Sequence, residues 1–136
     1  MAILLPENTP IEEVREFFKK DNFAYQAAGC RIVEARKGYA VCEMDITDLH
    51  RNAMGGVMGG AIFTLADYAL AVSSNLGEEP SVAASNSIEF MNGAKGNKLI
   101  ATSTVDKSGR HLGFYTIEVT DDTGRKVAKM TATCYR

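Results

Sequence analysis

One stretch constrains the fold of this chain more than any other. Gly60 to Asn75 reads Gly-Ala-Ile-Phe-Thr-Leu-Ala-Asp-Tyr-Ala-Leu-Ala-Val-Ser-Ser-Asn, with Asp67 as its only charge. At ~1.5 Å per residue it is a helix of roughly 24 Å. It has no polar face, and a helix that is apolar all round is expected to be buried all round. The run is too short to span a membrane, which takes about 20 apolar residues. Other elements of the chain must therefore enclose it. A chain of 136 residues, 46% of them apolar, suits a single domain that needs no disulfide or metal staple.

The enclosing elements follow a different period. Ala40, Cys42, Met44 and Ile46 alternate with Tyr39, Val41, Glu43 and Asp45, after a turn at Lys37-Gly38. Tyr115, Ile117 and Val119 alternate with Phe114, Thr116 and Glu118; Ala128, Met130, Ala132 and Cys134 alternate with Lys129, Thr131, Thr133 and Tyr135. Two more strands fit Ser81–Phe90 and Lys98–Asp106, and Ser108-Gly109 and Asp122-Thr123-Gly124 mark turns. Short turns between the late strands predict an antiparallel meander. Near the start, Thr9-Pro10-Ile11-Glu12 predicts a helix opened by a capping box, with Ile11, Val14, Phe17 and Phe18 on its buried face. Residues 1–8 read as a loose tail before the single domain 1–136. One long buried helix and about six strands are both satisfied if the sheet curls around the helix. That is the α+β arrangement called the hotdog fold, here with a short N-terminal helix.

Several classes of function are disfavoured. With 15 basic and 17 acidic residues the chain lacks the basic excess of a nucleic-acid binder. Cys30, Cys42 and Cys134 are odd in number and have neither close pairing nor zinc spacing. No basic start with an apolar run follows Met1, so the expectation is a cytoplasmic, reduced, metal-free enzyme or binding domain without a membrane partner.

Two features carry chemistry. A lone carboxylate on an apolar helix is costly unless paired, hydrogen-bonded or functional, which singles out Asp67. The segment leading into that helix, His50-Arg51-Asn52-Ala53-Met54-Gly55-Gly56-Val57-Met58-Gly59-Gly60, holds four glycines in six residues. Gly59 and Gly60 stand where a helix begins, so their amides are free donors at the positive end of its dipole. Such amides suit an oxygen that gains charge during acyl transfer, and equally a phosphate. No Gly-Lys-Ser/Thr follows to make a Walker loop.

Asn52-x-x-Gly55-x-x-Met58-Gly59-Gly60 followed by Leu65-Ala66-Asp67 resembles the signature of the PaaI-type acyl-CoA thioesterases, which are hotdog proteins. The resemblance covers about Cys30 to Tyr135. It implies Asp67 as nucleophile or general base, the Gly59 amide as oxyanion donor, and Asn52 as a positioning group. It also implies a role for Gly60 beside the substrate and a water-holding residue on the strand after the helix, at Ala83 or Ser85. Met58 stands where the family has histidine. Lys107, Gly109 and Arg110 lie in the hairpin Lys107-Ser108-Gly109-Arg110-His111, where relatives contact the nucleotide end of coenzyme A. The same resemblance implies an acyl-CoA substrate, no further cofactor, and a homodimer assembling into a homotetramer, with a site shared between chains.

Two alternatives remain at this level. Asp45 and His50 have the spacing of a hotdog enoyl-CoA hydratase pair, without the surrounding motif. Met58 keeps open a non-catalytic acyl-CoA binding module. His50 and His111 read as surface residues, and Phe90 and Met91 as core or as tunnel lining.

Overall fold

The computed structural model describes residues 2–136. In chain order it runs α1 (Ile11–Phe18), a π-helical turn (Phe23–Ala28), β1 (Arg31–Arg36), β2 (Tyr39–Asp45), a 3-10 turn (Asp48–His50), α2 (Gly59–Asn75), β3 (Val82–Phe90), β4 (Lys98–Ser108), β5 (Leu112–Asp121) and β6 (Lys126–Tyr135). The six strands form one antiparallel sheet in the order β1-β2-β4-β5-β6-β3. This is the hotdog arrangement expected: a curved sheet around one long helix, with a short helix before it. After α2 the chain crosses to the far edge, so β3 pairs only with β6.

The alternation places side chains as expected. Cys42 and Met44 of β2, Leu99 and Ala101 of β4, Ile117 of β5 and Met130 of β6 are fully enclosed with Leu65 and Val72 of α2. One polar contact pins helix to sheet. The Ser73 hydroxyl donates to the Leu70 carbonyl at 3.1 Å, so Ser103 donates to Ser73 at 2.7 Å.

The structure departs from the sequence expectations in five places. Thr9 does not cap α1: its hydroxyl donates back to the Pro6 carbonyl at 2.6 Å, Pro10 is the cap residue, and Glu12 pairs with Arg15 instead. Of the tail, Met1 lies outside the described residues, and the rest is tied down at Leu5, which is buried and bridges Leu76. β1 went unrecognised because a bulge between Ile32 and Glu34 breaks its period of two. His50 is 4% exposed rather than a surface residue. Finally, α2 is not enclosed on all sides: Gly60 and Asp67 are exposed and Phe63, Thr64 and Ala71 half-exposed, a lengthwise stripe at helical spacing. Beside it, the edge strand β3 is open along most of its length.

The connection into β4 and the β5–β6 turn are held by one carboxylate. Asp121 is buried and accepts from the Lys95, Gly96, Thr123 and Arg125 amides and the Thr123 hydroxyl. Those donors, the Thr123 hydroxyl foremost, hold its carboxyl far below the usual carboxylate range.

Candidate active site

Between β2 and α2 the chain makes a tight loop. An isolated bridge joins Arg51 to Val57, and the Asn52 amide donates to the Gly56 carbonyl at 2.7 Å. The Asn52 side-chain carbonyl accepts from Met54 N at 3.0 Å and Gly56 N at 3.1 Å. Gly55 closes the turn with a φ of 86°, a conformation that favours glycine. Asn52 therefore organises the loop with its oxygen and has its Nδ2 left for a ligand.

The loop delivers Met58 as the cap residue of α2, with extended backbone and no side-chain cap bond. Ala61 and Ile62 both donate to the Met58 carbonyl, at 3.0 and 3.3 Å. The amides of Gly59 and Gly60 have no acceptor among the described residues. The Phe90 ring lies over Gly59, where an added Cβ would meet it at 3.2 Å. Phe90 and Met91 are thus not core residues of this chain, being 53% and 47% exposed.

Two turns further along the stripe stands Asp67. Its carboxylate makes no hydrogen bond or ion pair among the described residues; although the residue reaches solvent, the protein packed around the carboxyl first, then the neighbouring Asp21 carboxylate, push it above its ordinary range. Burial pushes Asp21 up as well. The two carboxylates share an opening of about 420 Å³ with Asn22, Phe23, Phe63 and Thr64. A second, apolar cavity of about 140 Å³ lies beneath Met58. It is walled by Ala27 and Ala28 of the π-helical turn, by Leu49 and His50, and by Ala61 of α2. Sequence reasoning missed this wall, since Phe-Ala-Tyr-Gln-Ala-Ala has no period to read. Gly29, at a φ of 82° where the turn ends, was the one legible sign of it.

The structure does not gather all the expected residues in one place. Gly59, Gly60, Met58 and Asn52 lie together at the start of α2, and Asp67 about 12 Å along the same helix. Ser85 pairs with Thr133, on the sheet face opposite buried Ala132 and Cys134, and so faces away from α2; Ala83, opposite Cys134, shares the helix side. Lys107 and Arg110 are exposed at the far end of the sheet, where Arg110 borders a polar opening with Lys37, Glu78 and Arg136. Gly109 serves the turn itself: its amide donates to Leu112 O and its carbonyl accepts from Arg136, each at 2.8 Å. The hydratase pair is already engaged. Asp45 is ion-paired with Arg31 at 3.0 Å, while His50 Nδ1 accepts from Thr47 N at 3.0 Å and Nε2 donates to Ala28 O at 2.7 Å. His111 is exposed and stacks on Tyr135. The described residues contain no group of three or more potential metal ligands, and no helix long and apolar enough to cross a membrane.

A curved sheet around one helix whose first amides are free has clear relatives. Residues 54–128 match the model of the Thioesterase superfamily, and the chain belongs to that family. It is 32% identical over 112 residues to acyl-coenzyme A thioesterase PaaI of Escherichia coli, covering 82% of this chain and 80% of that one. It is 30% identical over 122 residues to human acyl-coenzyme A thioesterase 13, covering 87% of each. Among solved structures, the E. coli PaaI protein from the phenylacetic acid degradation operon superposes with a TM-score of 0.85 at 27% identity, covering 92% of this chain and 91% of that one. A Streptococcus mutans protein bound to acetyl CoA superposes with a TM-score of 0.73 at 27% identity, covering 76% and 85%.

Proposed function

We propose that this protein hydrolyses acyl-CoA thioesters to a carboxylic acid and free coenzyme A. The observation that carries the reading is Asp67: an unpartnered carboxylate held above its usual range, on a stripe with no other charge, along the helix that opens with two amides without acceptors. The Gly59 and Gly60 amides stabilise the oxyanion formed as the thioester carbonyl is attacked. As base, Asp67 takes a proton from the attacking water; as nucleophile it forms a mixed anhydride that water then opens. In the first route the C–S bond breaks as the tetrahedral intermediate collapses and the thiolate takes the proton held by Asp67; in the second the thiolate leaves as the anhydride forms, and the water that opens the anhydride supplies its proton. Asn52 Nδ2 orients the carbonyl or the water, and Lys107 and Arg110 hold the nucleotide end of coenzyme A.

The active unit is a two-fold dimer, itself pairing into a tetramer. One helix cannot bring its own Gly59 and Asp67 to one carbonyl across about 12 Å. Two α2 helices lying antiparallel, with the axis crossing near Phe63, bring Gly59 of one chain to Asp67 of the other. The open β3 edge supports this reading, because exposed strand edges invite pairing. So does the buried Asn86 Oδ1 in mid-strand, which has no hydrogen-bond partner. Met58 in place of the family histidine favours a second reading, binding without turnover.

The test is Asp67→Asn in a thiol-release assay across acyl-CoA esters. A fall in kcat of at least about 10²-fold is expected, as for loss of a general base. The wild-type rate should fall on acidification at a pH above the ordinary carboxylate value near 4. Because folding raises this pKa, ionised Asp67 opposes folding at neutral pH, and the opposition is relieved as pH falls through the raised value. The inactive Asp67→Asn variant should therefore melt higher than wild type at pH 7. Wild-type turnover in the folded variant refutes the role of Asp67.

A further inference from the structure

The two openings along the α2 stripe differ in chemistry but adjoin. Phe23 and Thr64 belong to the walls of both, and only the smaller one reaches the Gly60 end of the helix. That smaller wall offers a ligand almost nothing polar. The Thr64 hydroxyl is committed to the Gly60 carbonyl at 2.8 Å. His50, though it lines the cavity, has both ring nitrogens engaged by Thr47 and Ala28. The other side chains there are apolar, and the unsatisfied group at the edge is the Gly60 amide. Size is equally telling, because an apolar cavity of about 150 Å³ holds a single benzene. This one measures about 140 Å³.

Resting on the proposed hydrolysis, we infer that this cavity seats the acyl group, and that the substrates are unsubstituted hydrocarbon acyl thioesters of up to about six carbons or one ring. The thioester carbonyl lies at the Gly59–Gly60 amides, and the acyl group points inward past Met58. Longer chains run past this apolar wall and gain nothing further from it. Acyl groups with a hydroxyl or second carboxylate lose water without gaining a partner.

The test uses S-alkyl thioethers of coenzyme A, which cannot be hydrolysed, titrated calorimetrically from ethyl to dodecyl. Affinity should rise about fourfold per methylene, the ordinary gain for burying a CH₂, and stop at about hexyl. A terminal hydroxyl on the hexyl group should weaken binding by about 10- to 100-fold. Ala27 lines the cavity from an exposed position, so enlarging it tests occupancy without burdening the core. Ala27→Leu should move the plateau from hexyl to about propyl. Ala27→Phe should bring hexyl affinity down by about 10²-fold, to that of ethyl, and lower kcat/KM for hexanoyl-CoA far more than for acetyl-CoA. Affinity that keeps climbing through dodecyl overturns the inference, as does unchanged hexyl binding in both folded Ala27 variants. A wild type that shows the hexyl plateau but releases no thiol sinks the hydrolysis reading and upholds the acyl seat. Thiol release without any plateau does the reverse.

Discussion

Two variants, each expected to be inactive, should restore activity when they share a dimer. Gly59 and Asp67 are eight residues apart on one helix, about 12 Å along its axis. A base or nucleophile and an oxyanion donor must both lie about 3 Å from the reacting atoms. One chain therefore cannot supply both to one thioester, whereas two antiparallel α2 helices can. The choice of substitutions comes from the loop. Asn52→Ala would remove the oxygen that holds the Met54 and Gly56 amides, so its effect would be structural. Asn52→Asp keeps that acceptor, removes the Nδ2 donor and sets a negative charge near the forming oxyanion. Asp67→Asn keeps size and loses the base. Each alone should fall by at least about 10²-fold. Unfolded together in equal amounts and refolded, half the dimers are mixed, and each mixed dimer has one intact site and one doubly defective site. Thiol release should recover to about a quarter of wild type. Differently tagged chains and native mass spectrometry verify the mixed species. Verified heterodimers with no recovery would refute the shared site.

Three further outcomes follow from single side chains. Asp121→Asn turns an amide towards the Lys95 and Gly96 N–H groups and leaves both without an acceptor, at a cost on the order of 3 kcal/mol. The melting temperature should drop by roughly 10 °C or more. Since folding depresses the Asp121 pKa, its stabilisation is present above the unfolded carboxylate value near 4 and is lost as pH falls below it, so the gap to wild type should narrow in acid. An unchanged melt at pH 7 would contradict this account. Met58→His should leave the turnover rate unchanged or modestly raised, because the oxyanion donors are backbone amides; loss of all activity in a folded variant would mean that Met58 acts directly. Arg110→Ala should raise KM much more than it lowers kcat, and should matter less for a substrate carrying only the pantetheine arm. Equal effects on both substrates would return the hairpin to a solvated turn.

What was legible in the sequence is what burial writes into it. One buried sheet face forces a period of two, so Cys42, Met44, Ile117 and Met130 could be assigned before any coordinates. The helix was visible within one residue, from Gly59 rather than Gly60. Hydrophobicity reports that water is excluded, not whose atoms exclude it. The open stripe along α2 was consequently read as buried all round, and Phe90 was left between core and tunnel lining. Irregular backbone left no period: the bulge in β1 and the π-helical turn escaped for that reason. Hydrogen-bond duties escaped as well. Asn52 as loop organiser, Gly109 as turn residue and His50 as a doubly bonded core group depend on partners up to 27 residues away.

Met58 draws these strands together. Its backbone starts α2 by accepting from Ala61 and Ile62, which leaves the next two amides pointing free. Any residue that adopts an extended cap conformation performs that task, so the oxyanion donors do not depend on the side chain at this position. The side chain has a separate setting. It is 45% exposed and forms part of the apolar wall in which the His50 and Thr64 side chains are already hydrogen-bonded. A histidine there would bring a polar ring to a wall whose other polar side chains already have partners. On the proposed reading, chemistry at this junction belongs to the backbone and acyl selection to the side chain. Exchange of histidine for methionine then alters which acyl group is favoured far more than whether its thioester can be cleaved.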